Sequence, residues 1–152
     1  MADPSKFIDQ LYRTIQGGNL DQIARLYAED CVFVDVTQLQ PATGRKAIRA
    51  ILAERFAGLP DFRPTTWTLM VHGERVAAEL ELSGSHLGTF LGYSATGAEI
   101  RWPASSFFTL NRAHDQILRE TDFYDLASLT RQLAASTPLT QPSRSSEPAA
   151  KG

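Results

Sequence analysis

The chain has 152 residues, 43% hydrophobic and 21% charged, with a net charge of −2. That is enough for one domain with a substantial core. Without a basic excess or a polybasic stretch, neither nucleic acid nor an anionic membrane is expected as a partner. No run of about 18 apolar residues suggests a membrane span, and the N-terminus, MADPSKFIDQ, lacks the apolar core of a signal peptide. A single cysteine, Cys31, forms no internal disulfide and suits a reducing, cytoplasmic setting. Together with His72, His86 and His114 it matches no zinc-ligand spacing, so no metal is expected.

Residues 4–16 read as a first helix, with Phe7, Ile8, Leu11, Tyr12 and Ile15 forming one apolar stripe. Pro4 suits an early helical position, and Gly17-Gly18 ends the helix. Asn19 caps a second helix running through Leu20, Ile23, Ala24 and Tyr27. Residues 31–36, CVFVDV, read as a strand, and 37–43 as a polar loop. Gly44 opens a third helix with Ile48, Ile51, Leu52 and Phe56 at helical spacing, stopped by Gly58 and Pro60.

From Arg63 the period changes to two. Thr65–His72 and Val76–Leu82 form an antiparallel hairpin about the turn 72–75. If the second strand continues unbroken, His86 points inward, although Gly84, Gly88 and Gly92 make a bulge possible. Residues 98–110 form a long strand whose more apolar face carries Ile100, Trp102, Ala104, Ser106, Phe108 and Leu110. Pro103 suggests that this strand lies at an edge or bulge. After the turn 111–115 comes Gln116–Leu126, QILRETDFYDL, whose faces are Leu118, Glu120, Asp122, Tyr124 and Ile117, Arg119, Thr121, Phe123. Asp125–Ala135 reads as a short closing helix. Beyond it, residues 136–152 are rich in serine, proline and threonine and read as a disordered tail following a domain at 1–135.

Three helices ahead of four long antiparallel strands argue for an α+β fold: a cone, with the helices packed on a curved antiparallel sheet. The open end of such a cone would take a small hydrophobic molecule. Glu120 and Asp122 stand two places apart on one strand face, roughly 6–7 Å along the strand. If that face lines an apolar cavity, desolvation and mutual repulsion raise at least one carboxyl pKa. Such a carboxylate can remove a proton from a carbon acid or activate water. The opposite orientation, with the acids in water, is equally compatible with the alternation.

The run Gly84–Gly97, GSHLGTFLGYSATG, followed by 117–133, ILRETDFYDLASLTRQL, resembles the SnoaL-like polyketide cyclases. Their pattern is roughly G-x-H-x-G-x-x-x-G-x-x-x-T-G, then an acid-bearing strand ending in W/F-x-D, then an R-Q-L helix. Residues 17–36, GGNLDQIARLYAEDCVFVDV, are similar to the broader ketosteroid-isomerase-like superfamily. The resemblance covers about residues 5–134. It implies a cone-shaped α+β fold, a homodimer joined through the sheet, and catalysis with neither metal nor cofactor. It places the catalytic aspartate on Asp122, the base that removes a proton alpha to a carbonyl before an aldol closure. The family's partner histidine falls near Ser106, which cannot carry an imidazolium charge.

Asp35 falls where ketosteroid isomerases keep their base, while their oxyanion-holding residues are not matched. His86 is a candidate second base or donor, and Glu120 a second acid. Tyr12, Trp67, Trp102, Ser106, Phe108 and Tyr124 are candidate substrate contacts. Two alternatives stay open. Asp35, Asp122 and Arg101 imitate the Asp–Arg–Asp set of limonene-epoxide-hydrolase-like relatives, although Arg101 has outward parity. A non-catalytic binding cone is the other.

Overall fold

The first helix forms where its apolar stripe predicts. In the computed structural model, which describes residues 2–135, helix α1 (Pro4–Gln16) buries Phe7, Ile8, Leu11, Tyr12 and Ile15. The Asp3 carboxylate caps it by accepting the Ser5 N–H. Helix α2 (Leu20–Arg25) is capped by Asn19. It is shorter than its spacing predicts, because Tyr27 already belongs to strand β1 (Tyr27–Asp35). The loop expected over 37–43 ends in a two-residue strand, β2 (Ala42–Thr43), paired with β1. Helix α3 (Arg45–Gly58) follows from Gly44, whose φ of 90° suits glycine.

Strands β3 (Arg63–His72), β4 (Arg75–Ser85), β5 (Glu99–Leu110) and β6 (Ile117–Tyr124) then form an antiparallel meander. Helix α4 (Leu126–Ala135) closes the described chain, with the Asp125 carboxylate accepting the Ser128 N–H. The tail expected over 136–152 lies outside the described residues.

The six strands are ordered β2-β1-β6-β5-β4-β3. The sheet is mixed rather than purely antiparallel, since β1 and β6 run parallel. Alternation assigns the two faces of each strand but does not choose its neighbour. That pairing sets Phe33 beside Glu120 and Asp35 beside Asp122. The helices cover the concave face, and the core between them includes Ile8, Leu11, Ile23, Leu80, Phe108 and Leu133. Among the described residues, no helix is long and apolar enough to cross a membrane.

Two bulges change which side chains face inward. In β6 the pairing steps from Thr109–Arg119 to Leu110–Ile117, leaving Leu118 as the extra residue. Ile117 is therefore fully buried and Leu118 exposed, the reverse of what unbroken alternation predicts. From Glu120 onward the inward face is as expected. In β3 the step between Thr66 and Thr68 ejects Trp67. Pro103 does not mark a sheet edge either, because β5 lies between β4 and β6. However, β5 runs past the last β6 pair, Ala104–Tyr124. On that flank the Gln132 side chain of α4 serves the Arg101 backbone, accepting its N–H and donating to its carbonyl. Pro103, two residues on, turns toward the same flank, where no β6 carbonyl needs an N–H.

Candidate functional site

The parallel pairing of β1 with β6 carries the inward acids into the interior of the cone. Glu120 is 7% exposed and Asp122 8%. Each has a hydroxyl partner from a neighbouring strand. The Ser106 Oγ on β5 donates to Asp122 Oδ1 at 2.6 Å, and the Tyr27 hydroxyl on β1 donates to Glu120 Oε2 at 2.5 Å. Ser106 and Asp122 are directly opposed across the ladder, so backbone pairing sets that contact.

Two connected hollows meet here. The inner chamber, about 40 Å³, is lined by Tyr12, Tyr27, Ser106, Glu120 and Asp122 among apolar side chains. The outer basin, about 800 Å³, is walled by Phe33, Phe90, Trp102 and Leu129, with Asp35, Asp122 and Tyr124 supplying oxygen atoms. Asp122 and Arg55 line both hollows; Glu120 lines only the chamber. The basin has ligand dimensions, while the chamber has room for water only.

Burial is the largest influence on both carboxyl groups, and it raises both. Glu120 is pushed well above the ordinary glutamate range, further raised by the charge of Asp122. Asp122 is raised as well, against the opposing influence of the Ser106 hydroxyl, the charge of Arg55 and Glu120, all of which favour its ionised form. Two enclosed carboxyl groups on one strand face resist carrying two negative charges at once, so burial favours a single charge on the pair. Burial and these acids keep Tyr12 and Tyr27 neutral phenols, well above their usual range. Among the described residues the Tyr12 hydroxyl, buried at the chamber wall, makes no hydrogen bond of full geometry, and the Ser106 hydroxyl favours its ionised form.

Arg55, on α3, lies 5.0 Å from the centroid of the Phe62 ring and makes no ion pair among the described residues. It is the cation bordering both hollows, and the sequence reading does not include it. Its signal was weak: one arginine on a helix whose apolar stripe continues around it. Arg101 instead faces outward and pairs with Glu81 and Glu99. An Asp–Arg–Asp set built on Arg101 is therefore not formed; Arg55 is the arginine that stands with Asp35 and Asp122 at the basin. Tyr27, which helical spacing places at the end of the second helix, instead opens β1 and reaches Glu120.

The remaining candidates divide sharply. Asp35 reaches the basin, but its carboxylate is occupied: Oδ1 accepts the Thr37 N–H and hydroxyl, and Oδ2 accepts the Tyr124 hydroxyl. It fixes the turn after β1 and orients Tyr124, whose phenol is pushed up to about 12 chiefly by burial. Ser106, Tyr12, Trp102 and Tyr124 line one or other hollow.

Three candidates do not. Trp67 is 58% exposed on the outer sheet face, because of the β3 bulge. Phe108 is buried behind Tyr12, which it meets edge-on. His86 is fully buried but borders neither hollow. Its Nδ1 meets Thr96 Oγ1 at 3.0 Å and its Nε2 meets the Tyr93 carbonyl at 3.2 Å, so its ring braces the loop 86–98. Cys31 is buried with its thiol pushed upward, the chemistry of an inert core cysteine. No three acids, histidines or cysteines cluster as metal ligands among the described residues.

The family model of SnoaL-like polyketide cyclases matches residues 6–133. No curated protein matches the chain. Solved structures do. A proposed SnoaL-like polyketide cyclase from Jannaschia sp. CCS1 is 22% identical, with a TM-score of 0.78, over 88% of this chain and 93% of that one. IdmH, a proposed polyketide cyclase from Streptomyces antibioticus, is 21% identical with a TM-score of 0.75, over 88% and 99%. AclR, a proposed hydroxylase from Streptomyces galilaeus, is 16% identical with a TM-score of 0.77, over 90% and 99%. At these identities the likeness establishes the fold, and this fold carries more than one chemistry.

Proposed function

The chain belongs to the SnoaL-like polyketide cyclase family, and we propose that it catalyses cofactor-free cyclisation or isomerisation of a hydrophobic, oxygenated small molecule, with Asp122 as the base. The observation that carries this reading is the position of Asp122: a desolvated carboxylate on the floor of the apolar basin, with Arg55 beside it. A substrate carbonyl in the basin would present its alpha carbon to Asp122. The carboxylate takes the C–H proton, and the electron pair moves onto the carbonyl oxygen. The resulting enolate is stabilised by the Arg55 charge, which is strengthened by the surrounding low dielectric. The enolate carbon then attacks a second carbonyl of the same molecule, and protonated Asp122 returns its proton to the new alkoxide. In the isomerase variant the proton returns to another carbon. Ser106, which holds the carboxylate in place, stands where the resemblance puts a histidine; it orients the base without relaying a proton.

The test is hydrogen–deuterium exchange at the acidic carbon of a panel of polycyclic β-keto esters, followed by NMR in D₂O. This reads proton abstraction whether or not a ring closes. Asp122→Asn is expected to slow exchange by about 10²–10⁴-fold. Exchange at the wild-type rate in that variant would remove Asp122 from the mechanism. Binding of the panel without exchange at any pH would mark the cone as a binding domain.

A second reading, opening of an epoxide by water, draws support from the inner chamber. Its volume of about 40 Å³ exceeds the roughly 10–15 Å³ that one water needs, and it borders Asp122. Incorporation of ¹⁸O from labelled water into a diol product would select this reading. The outward sheet face, with Trp67, Met70, Phe107 and Phe123 exposed, supports assembly as a homodimer through the sheet.

A further inference from the structure

The acid that the proposed reaction leaves unused is Glu120. It lines the chamber but not the basin, so it meets Asp122 rather than a substrate. Among the described residues it has one hydroxyl donor, Tyr27, and forms no ion pair. The titratable groups that face it are Tyr12 from α1, Tyr27 and Cys31 from β1, Arg55 from α3, and Asp122 from its own strand. Asp35, from β1, acts on Asp122. Two carboxylates on successive inward positions of one strand, enclosed and facing one another, cannot both ionise cheaply.

We propose that Glu120 is the positioning residue of the base: a neutral carboxyl group, held by the Tyr27 hydroxyl, that hydrogen-bonds the Asp122 carboxylate and keeps the pair at a single negative charge through the neutral pH range. The role rests on the reading of Asp122 as a base and goes beyond it. The geometry divides the two acids by exposure to the basin, with one oxygen-bearing group at the floor and the other behind it. Burial of both, and the direction in which each perturbs the other, agree with this division. Once Glu120 ionises, an enolate would have to form beside its fixed negative charge, because Asp122 gives up its own charge on taking the proton. Activity should therefore fail at high pH as well as at low pH. The two limbs belong to the pair, with the acid limb set by charging of Asp122 and the alkaline limb by charging of Glu120.

The experiment has two arms. In the first, the chain is labelled with ¹³C at the glutamate side-chain carboxyl, and its carbon signals are followed against pH. One glutamate should stay protonated at pH 7, and its signal should be missing from Glu120→Gln and present in Asp122→Asn. Wild-type spectra with every glutamate ionised at pH 7 would overturn the proposal without bearing on Asp122 as the base. The second arm is the pH profile of the exchange reaction. Glu120→Gln keeps a neutral hydrogen-bonding group, so it should retain the acid limb and lose the alkaline limb. An alkaline limb unchanged in that variant would also overturn the proposal. Loss of exchange in Asp122→Asn, with the carboxyl signal intact, would uphold the base independently.

Discussion

At Asp122 and Glu120, burial sets both the chemistry and its cost. As the proposed base Asp122 would act only when ionised, and desolvation lifts its pKa above the ordinary aspartate value. Exchange activity should therefore decline as pH falls through a midpoint above that value, where an exposed aspartate would still be charged. The charge of Arg55 lowers both carboxyl pKa values. Arg55→Leu should shift the acid limb to higher pH and reduce kcat by about 10²–10³-fold, the loss typical of a missing oxyanion donor. The sign for stability follows from the same shifts. Both acids bind protons more tightly folded than unfolded, so their contribution is complete below the unfolded pKa values and is lost as pH rises toward the folded ones. Glu120→Gln removes one of these groups. Its melting temperature should therefore gain on the wild type as pH rises from about 5; parallel curves would mean that Glu120 titrates normally.

At the level of elements, the loop 86–98 is as much part of the site as the strands. Its residues Thr89–Gly92 wall the basin, and they can do so because backbone lies on backbone where the loop crosses the end of α3. The Leu87 and Gly88 N–H groups both donate to the Gly58 carbonyl. A Cβ on Gly88 would fall 2.0 Å from the Ala57 carbonyl oxygen. Gly88→Ala should cost about 1–3 kcal/mol, the usual penalty for overpacking, visible as a lower urea midpoint. His86 holds the same loop from within. His86→Ala should lower the urea midpoint too, yet leave the limbs of the activity profile in place, because the ring borders neither hollow. A shifted limb would return His86 to the catalytic candidates.

For the whole molecule, the two sheet faces have separate duties. The concave face makes the core and the site. The outward face leaves Trp67, Met70, Phe107 and Phe123 exposed, with the last two stacked edge to face at 5.7 Å. Acidic Glu79 and Glu81 and basic Arg101 and Arg119 stand among the outward positions of β4, β5 and β6. A face of both apolar and mixed-charge character suits an isologous contact, in which each substitution appears twice. Sedimentation equilibrium should return a mass near twice 16.8 kDa. Phe123→Lys should shift it toward a single copy without unfolding the chain. A monomeric wild type at tens of micromolar would dismiss the homodimer.

The chain by itself determined whatever one element can show alone. The stripe from Phe7 to Ile15 made a helix with a buried face, and the alternation of Val76–Leu82 made a strand with its face assigned. Glycine spacing around His86, with the acid-bearing strand, pointed to the family. Alternation left the orientation of the acids open, and the resemblance placed Asp122 inward. Tertiary structure decided what depends on a second element. Tyr27 meets Glu120 across 93 residues of sequence, and Arg55 reaches the acids only because α3 lies over the sheet. The parallel pairing of β1 with β6, and the bulges at Leu118 and Trp67, come from ladder register. A side-chain period describes the faces of one strand, whereas the partner of a buried charge is chosen by which strands and helices come to lie beside it.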